Sequence, residues 1–413
     1  MARVSDRVDG DRLWERLTAL ARFGATPAGG VCRLALSQEE IEARAALVAW
    51  GRAFDLSPSV DAAANLFLTL PGTEPQLAPL LIGSHIDSQP NGGKFDGAYG
   101  VVAAVEAAQA ICEHSQQPRR SVEIVAWMNE EGSRFAPGMM GSAAFTGRRS
   151  LADIRAVTDR SGCSVATALA AVLEAERDLA RRPLGFPVAG YLEAHIEQGI
   201  ALQQAGRAIG VVTGMQGKRT FRVEVIGEES HAGTTPRSMR RDALTSAIAV
   251  VDALQKEMWD AADTVRFTVG MFDVTPNAPS VVPGKVVFAI DLRHPAADVI
   301  ERLGDLVPRV CEAARGRCEV RVRELLYEAP LSFPDPVQAR IRAAAARLRI
   351  PHMQLPSPAG HDARYLHYVC PTGMIFIPCK DGISHNERES ITPEDADAGA
   401  RVLAETAFEL ADR

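Results

Sequence analysis

The 413-residue chain carries 46% hydrophobic and 23% charged residues with a formal net charge of -7, the profile of an ordinary globular protein. No block of lysine or arginine stands out, and Arg119–Arg120, Arg148–Arg149 and Arg181–Arg182 are isolated pairs, so a nucleic-acid partner is not expected. The longest small-apolar stretch, Gly97 to Cys112, is interrupted by Glu106 and is too short to cross a membrane.

The length exceeds what one compact core usually spans, so two domains are expected. The N-terminal stretch MARVSDRVDGDRLWERL is charged and lacks the apolar segment of a secretory signal. The seven cysteines contain no CxxC pair, which favours reduced thiols and a cytoplasmic location.

Asp9 to Ala21 and Gln38 to Phe54 read as amphipathic helices, the second with Ser37 as N-cap. Leu77 to Gly83 is an apolar run suited to a buried strand. Gly97 to Cys112 reads as a helix, and Ser121 to Trp127 as the next strand. Strand, helix, strand in this order implies a parallel sheet covered on both faces. Near residue 213 the pattern changes. Arg219–Ile226 alternates, Met239 to Ala261 is helical, Thr264–Val274 and Lys285–Leu292 read as strands, Pro295 to Ala314 is helical, and Cys318–Leu326 alternates again. This β-α-β-β-α-β order predicts a ferredoxin-like unit. After Pro330 the α/β alternation resumes and ends in a helix over Pro393–Asp412. The fold expected is therefore α/β: a domain with a mixed, largely parallel sheet, formed by 1–212 and 330–413, interrupted by an α+β insertion over 213–329.

The histidines and acids carry the chemistry. In GSHIDSQPNGGKFDGAYG, His85 follows an apolar strand, where ligand sites of α/β sheets form. Asp87 can hold the second imidazole nitrogen, and the glycines let the loop bring Asp96 back to the strand end. A glycine-rich turn with capping acids is the plainer alternative. In WMNEEGSRF, Glu130 and Glu131 follow a buried strand and are costly unless a cation or hydrogen bonds compensate; capping of a helix start is the alternative. YLEAHIEQG contributes His195, Glu197 and Gln198, and KDGISHNERES contributes His385, each histidine open to a merely structural role. Together they form a donor set sized for two divalent ions sharing one carboxylate. The chain lacks HExxH, GxSxG and GxxxxGK[ST], which disfavours a helix-borne zinc site, a serine hydrolase and a P-loop.

GSHIDSQPNGGKFDG, NEEGSRFAPGMMGS, EAHIEQG, SHAGTTP, PNAPSVVPG, DLRHP, AGHDA and GISHN resemble, in order along nearly the whole chain, the M20-type metal-dependent amidohydrolases. More narrowly they resemble the hydantoinase/carbamoylase branch, with N-carbamoyl-L-amino-acid hydrolase, β-ureidopropionase and allantoate amidohydrolase as members. The resemblance implies metal ligands His85, Asp96, Glu131, His195 and His385, with Asp96 bridging two ions: zinc first, with manganese, cobalt or nickel as alternatives. It implies Glu130 as catalytic acid/base, Asp87 orienting His85, and His231 stabilising an oxyanion, with reach into a partner subunit. Asn277 and Arg293 would grip the carboxylate of a small substrate, with Gln198 and His361 as further polar contacts. It also implies a homodimer formed through the 213–329 domain, which serves as lid. Before GHDA the family's Ser-Gly-Ala-Gly reads Ser357-Pro358-Ala359-Gly360, and proline removes an N–H. N-acyl-amino-acid deacylase or dipeptidase activity on the same scaffold, and an inactive metal-binding homodimer, are the rival expectations.

Overall fold

The computed structural model describes residues 3–413. The chain divides into two compact units, one running to Thr213 and resuming at Phe333, the other Gly214–Ser332. It leaves and re-enters the first unit at one point, where the Phe333 amide donates to the Thr213 carbonyl over 2.9 Å.

The first unit is a mixed α/β structure around a ten-stranded sheet. Its centre consists of four parallel strands in the order Thr372–Ile377, Gly190–Ile196, Leu80–His85 and Val122–Trp127. All four are buried along their whole length, as expected for strands covered on both faces. Antiparallel strands extend it, Leu66–Leu70 and Ser57–Val60 beyond one edge and Ile209–Met215 beyond the other. Those strands follow turns too irregular to read from sequence: Asp61 accepts from the amides of Ala63 and Asn65 and fixes the hairpin between the first two.

Of the two caps at the start of the chain, the sequence predicts the one at Ser37. Asp9 caps the helix Gly10–Leu20 by accepting from the Arg12 amide, and Ser37 caps Gln38–Arg52 by accepting from the Glu40 amide. The helix Ala98–Cys112 is buried on nearly every side because it lies between the sheet and the C-terminal helix Pro393–Ala411. Gly100 allows that approach, since a Cβ there would stand 2.1 Å from the Ala194 carbonyl oxygen. Glu106, the acid inside this helix, accepts from Arg12, Arg16 and the Asp9 amide.

The second unit has the order strand, helix, strand, strand, helix, strand. Its antiparallel sheet runs Arg266–Thr275, Lys285–His294, Gly217–Ile226, Glu319–Glu328. Val223, Val225, Val286, Phe288 and Ile290 project from one face onto Val250, Leu254, Leu303 and Val307 of the helices Ala243–Met258 and Ala297–Ala314. The period-2 burial of the strands puts alternate residues on this core. The first helix starts later than Met239 because Asp242 caps it, accepting from Leu244 and Thr245. No helix among the described residues is long and apolar enough to cross a membrane, and all seven cysteines are unpaired.

Candidate metal centre

The segments that follow the four parallel strands meet at their carboxyl ends, the place where ligands gather in α/β sheets. His85 ends one strand and His195 lies near the end of its neighbour. Glu130 and Glu131 follow the third, and His385 follows the fourth. Asp96 arrives on the loop before the helix Ala98–Cys112. Gly97 turns that loop with φ +62°, and a Cβ there would lie 2.3 Å from the His85 ring, so only glycine fits.

Asp96 is the hub. Its Oδ1 lies 3.2 Å from His195 Nε2 and 3.9 Å from His85 Nε2. Its Oδ2 lies 3.1 Å from His385 Nε2, which is itself 3.4 Å from Glu131 Oε2. Two groups of close donor atoms result: His85, Asp96 and His195, and Asp96, Glu131 and His385. Glu130 belongs to neither and places Oε2 3.6 Å from His85 Nε2.

Main-chain contacts set the imidazoles. His85 Nδ1 lies 3.0 Å from the Asp87 carbonyl oxygen and His195 Nδ1 lies 2.9 Å from that of Ile196. Each Nδ1 therefore carries the proton, which leaves an Nε2 lone pair facing Asp96. The Asp87 carboxylate is 3.6 Å from His85 Nδ1. Its closer partners are the amides of Glu130 and Glu131, at 3.1 and 3.2 Å. The role expected for Asp87 thus shifts: its backbone oxygen holds the imidazole, and its carboxylate holds the two adjacent glutamates.

The loop after Trp127 is shaped for those glutamates. Asn129 adopts a left-handed conformation with φ 53°, and its amide nitrogen donates to the Phe135 carbonyl. Arg134 donates to the carbonyls of Ala35 and Leu36 and to Asp159. Gln89 donates to Glu131 Oε2 over 2.7 Å.

Burial first, then the charges of Asp362, Glu131 and Asp87, hold the Glu130 carboxyl well above the ordinary range. Burial and the Asp96 charge push Glu131 up to about 7. Burial opposes ionisation of Asp96 too, but the His195 and His385 imidazoles, when protonated, hold it well below the ordinary value. So many carboxylates around inward-facing lone pairs suit a divalent cation. Gln198 fits the same picture: its Nε2 donates to Asp96 Oδ2 over 3.0 Å, while its Oε1 is buried without a hydrogen-bond partner. The donors are imidazole nitrogen and carboxylate oxygen with no thiolate, a set that accommodates zinc, manganese, cobalt or nickel.

Two further residues take other roles. Glu197 accepts from the amides of Ala201 and Leu202 and so takes the plain structural role of a helix cap. His361 is buried edge-on against the His195 ring, with centroids 4.4 Å apart, and its Nε2 is 3.1 Å from Ser357 Oγ. Burial and the neighbouring His195 hold it well below the ordinary histidine value, so it is a neutral hydrogen-bonding group.

His231, Asn277 and Arg293 belong to the second unit. His231 is exposed, and its Nδ1 accepts from the amides of Gly233 and Thr234, which leaves Nε2–H as the available donor. It sits on the short strand opposite Val281, close to the turn that contains Asn277. Arg293 forks onto Asp291 through Nε and Nη2, at 2.8 and 3.2 Å. Asn277 and Arg293 were expected to grip one carboxylate together, and the register corrects that for a single chain. Lys285 pairs with Thr275, whereas Arg293 pairs with Arg266. Eight strand residues therefore separate the two ends, about 27 Å.

Glu389, Glu193 and Asp362 escaped the sequence reading. All three are buried acids packed around the centre. Glu193 accepts from Ser84 Oγ and the Ala363 amide, and Ser142 Oγ bonds Asp362. Glu193 carried a usable signal: it lies two residues before His195 in an otherwise apolar buried strand, on the same face.

Residues 81–409 match the model of peptidase family M20/M25/M40. The chain belongs to this family. The family is metal-dependent, and this chain is a hydrolase acting on amide-type bonds. It is 37% identical to an N-carbamoyl-L-amino-acid amidohydrolase of Rhizobium meliloti, over 98% of this chain and 97% of the relative. It is 34% identical to the allantoate amidohydrolase of Bacillus subtilis, over 95% of each. Among solved structures, a hydantoinase/carbamoylase family amidase from Burkholderia vietnamiensis superposes with TM-score 0.88 at 41% identity, over 98% of each chain.

Proposed function

We propose that this M20 hydrolase cleaves the C–N bond of an N-carbamoyl amino acid or a related ureido acid, using two divalent cations and Glu130. The observation that carries the reading is the divided carboxylate of Asp96, one oxygen facing His85 and His195 and the other facing His385 in the group that holds Glu131. Those five residues would hold the ions, zinc first, with Asp96 bridging. When bound, such ions supply Lewis acidity and make water acidic enough to act as a nucleophile near neutral pH.

Glu130 stands beside the group and outside it, positioned to take the proton of the attacking water and return it to the leaving nitrogen. The Nε2–H of His231 is the donor that would stabilise the oxyanion. Arg293 suits a substrate carboxylate because its planar fork already holds one carboxylate, that of Asp291, and can exchange it for another. The span between Arg293 and the His231–Asn277 turn supports a homodimer through residues 213–329. Two copies would complete each other's sites, one giving His231 and Asn277 and the other Arg293, and this second unit would act as the lid.

Glu130→Gln tests the mechanism. It should keep the fold and two bound ions and lower kcat by about 10²–10⁴-fold; unchanged turnover would remove Glu130 from its role. A screen of carbamoyl, ureido, formyl and acyl acids, read as ammonia and amine release, tests the substrate class. Ammonia from carbamoyl or ureido acids is the expected result. Faster turnover of acyl acids, which need no ureido contact from the N–H that Pro358 lacks, would point to a deacylase or dipeptidase. A metal-loaded protein inert to the whole panel would be an inactive homodimer.

A further inference from the structure

Glu389 lies outside both groups of close donor atoms, yet its side chain joins the segments that carry Asp96 and His385. It is 4% exposed. Its Oε1 accepts from two consecutive main-chain amides, Phe95 at 2.9 Å and Asp96 at 3.0 Å. Its Oε2 accepts from Ser384 Oγ at 2.9 Å, next to His385. Ser384 Oγ is in turn 3.3 Å from Asp96 Oδ2 and 3.3 Å from Gln198 Nε2. Three donors on two loops, the Phe95 and Asp96 amides and the Ser384 hydroxyl, thus converge on one carboxylate.

The opposite wall is shaped to admit it. A Cβ on Gly93 would stand 2.0 Å from the Glu389 carboxyl carbon, so any larger residue there would evict the carboxylate. On the other side, a Cβ on Gly30 would meet the Glu387 side chain at 2.6 Å, and Thr26 Oγ1 bonds Glu387. The N-terminal loop thus packs against the segment from which Glu389 projects.

From this geometry, and resting on the two-ion reading above, we infer that Glu389 is a positioning residue that sets the spacing of Asp96 and His385 and so determines the affinity of the Asp96–Glu131–His385 group for its cation. Glu389 touches no reacting atom. It fixes the backbone of one ligand and, through Ser384, the neighbour of another, whereas His85 and His195 are held by carbonyls of their own segments. Because Asp96 serves both groups and His385 only one, loss of the clamp should weaken the ion of the Asp96–Glu131–His385 group more than the other. Outer groups that orient metal ligands typically control affinity by about 10- to 100-fold.

The test uses full-length protein stripped of metal and titrated with Co²⁺, followed by visible absorption and by the number of ions bound. Wild type should take two equivalents. Glu389→Ala should bind one equivalent with affinity close to wild type and the second about 10- to 100-fold more weakly. Glu389→Gln keeps an acceptor oxygen for the Phe95 and Asp96 amides and should recover part of that loss. Gly93→Ala leaves Glu389 in the sequence but displaces its carboxylate, so it should reproduce the Glu389→Ala titration even if the latter folds poorly. Two equivalents bound with wild-type affinity in Glu389→Ala or Gly93→Ala would overturn the inference. So would equal weakening of both ions, the sign of a merely structural role. Wild type binding fewer than two ions would overturn the two-ion reading itself, a distinct result.

Discussion

Glu106 sits on the apolar helix Ala98–Cys112 with its side chain fully buried, 2.6 Å from Arg12 and 3.2 Å from Arg16. Removing one member of a buried ion pair leaves the other uncompensated, at about 3–5 kcal/mol. Arg12 is partly exposed and can rehydrate, so Glu106→Ala should cost about 3 kcal/mol, the low end of that range. A urea titration reads this as a lower midpoint with unchanged slope. Composition alone marks Glu106 as an interruption in a helix and nothing more, because its partners lie some ninety residues away. His85, Asp96 and His195 stood out because each lies where an apolar strand or a glycine-rich loop stops, whereas the choice of Glu131 over Glu130 and the role of His385 came only with the family resemblance. Glu389 was not legible. An acid four residues after a histidine in a polar loop looks like a solvated charge until the fold buries it.

At the scale of elements, the loop that carries Glu130 and Glu131 is held from outside by Arg134, which bonds the carbonyls of Ala35 and Leu36 and the carboxylate of Asp159. The Ser161 hydroxyl first, then Arg134 and the amides of Cys163 and Ser161, lower Asp159 to about 2, from 3.8. The sign follows from linkage: a carboxyl depressed in the folded state adds stability above its unfolded value and loses it as pH falls through the folded one. Stability should therefore fall between pH 4 and pH 2, and Asp159→Asn should flatten that part of the curve. Denaturant midpoints at pH 4, 3 and 2 check this, and parallel curves for the two proteins would refute it. The major strands and helices were readable from their periodicity. The antiparallel strands Ser57–Val60 and Leu66–Leu70 were not, because the turn that joins them is built by Asp61 and Asn65 side chains instead of a glycine signal.

For the molecule as a whole, the proposed exchange of lid residues makes a prediction that no single chain can satisfy. His231→Ala and Arg293→Ala should each be nearly inactive alone. Mixed in one preparation of exchanging dimers, they should regain activity, since half of the heterodimer's sites would hold both wild-type residues. No recovery on mixing, with subunit exchange demonstrated by labelled chains, would refute a shared site. Metal removal acts at the same scale. A chelator should abolish turnover and lower Tm, because ions that bind only the folded chain stabilise it by mass action, and divalent metal should restore both. The ferredoxin-like order of the second unit was visible in the alternation of its strands. The separation of Arg293 from Asn277 was not, because register is a property of pairing and not of composition.

The hydrogen bond from Phe333 to Thr213 means that the excursion through Gly214–Ser332 begins and ends at a single doorway. A short bypass of glycine and serine could bridge it without stretching the chain, since loop closure over so small a gap costs little. The truncated protein would still possess every donor that surrounds Asp96 but would have lost His231, Asn277 and Arg293 at one stroke. It should capture cobalt as the intact chain does and hydrolyse nothing. Metal capture and catalysis would then be separable by cutting along a seam the fold already provides.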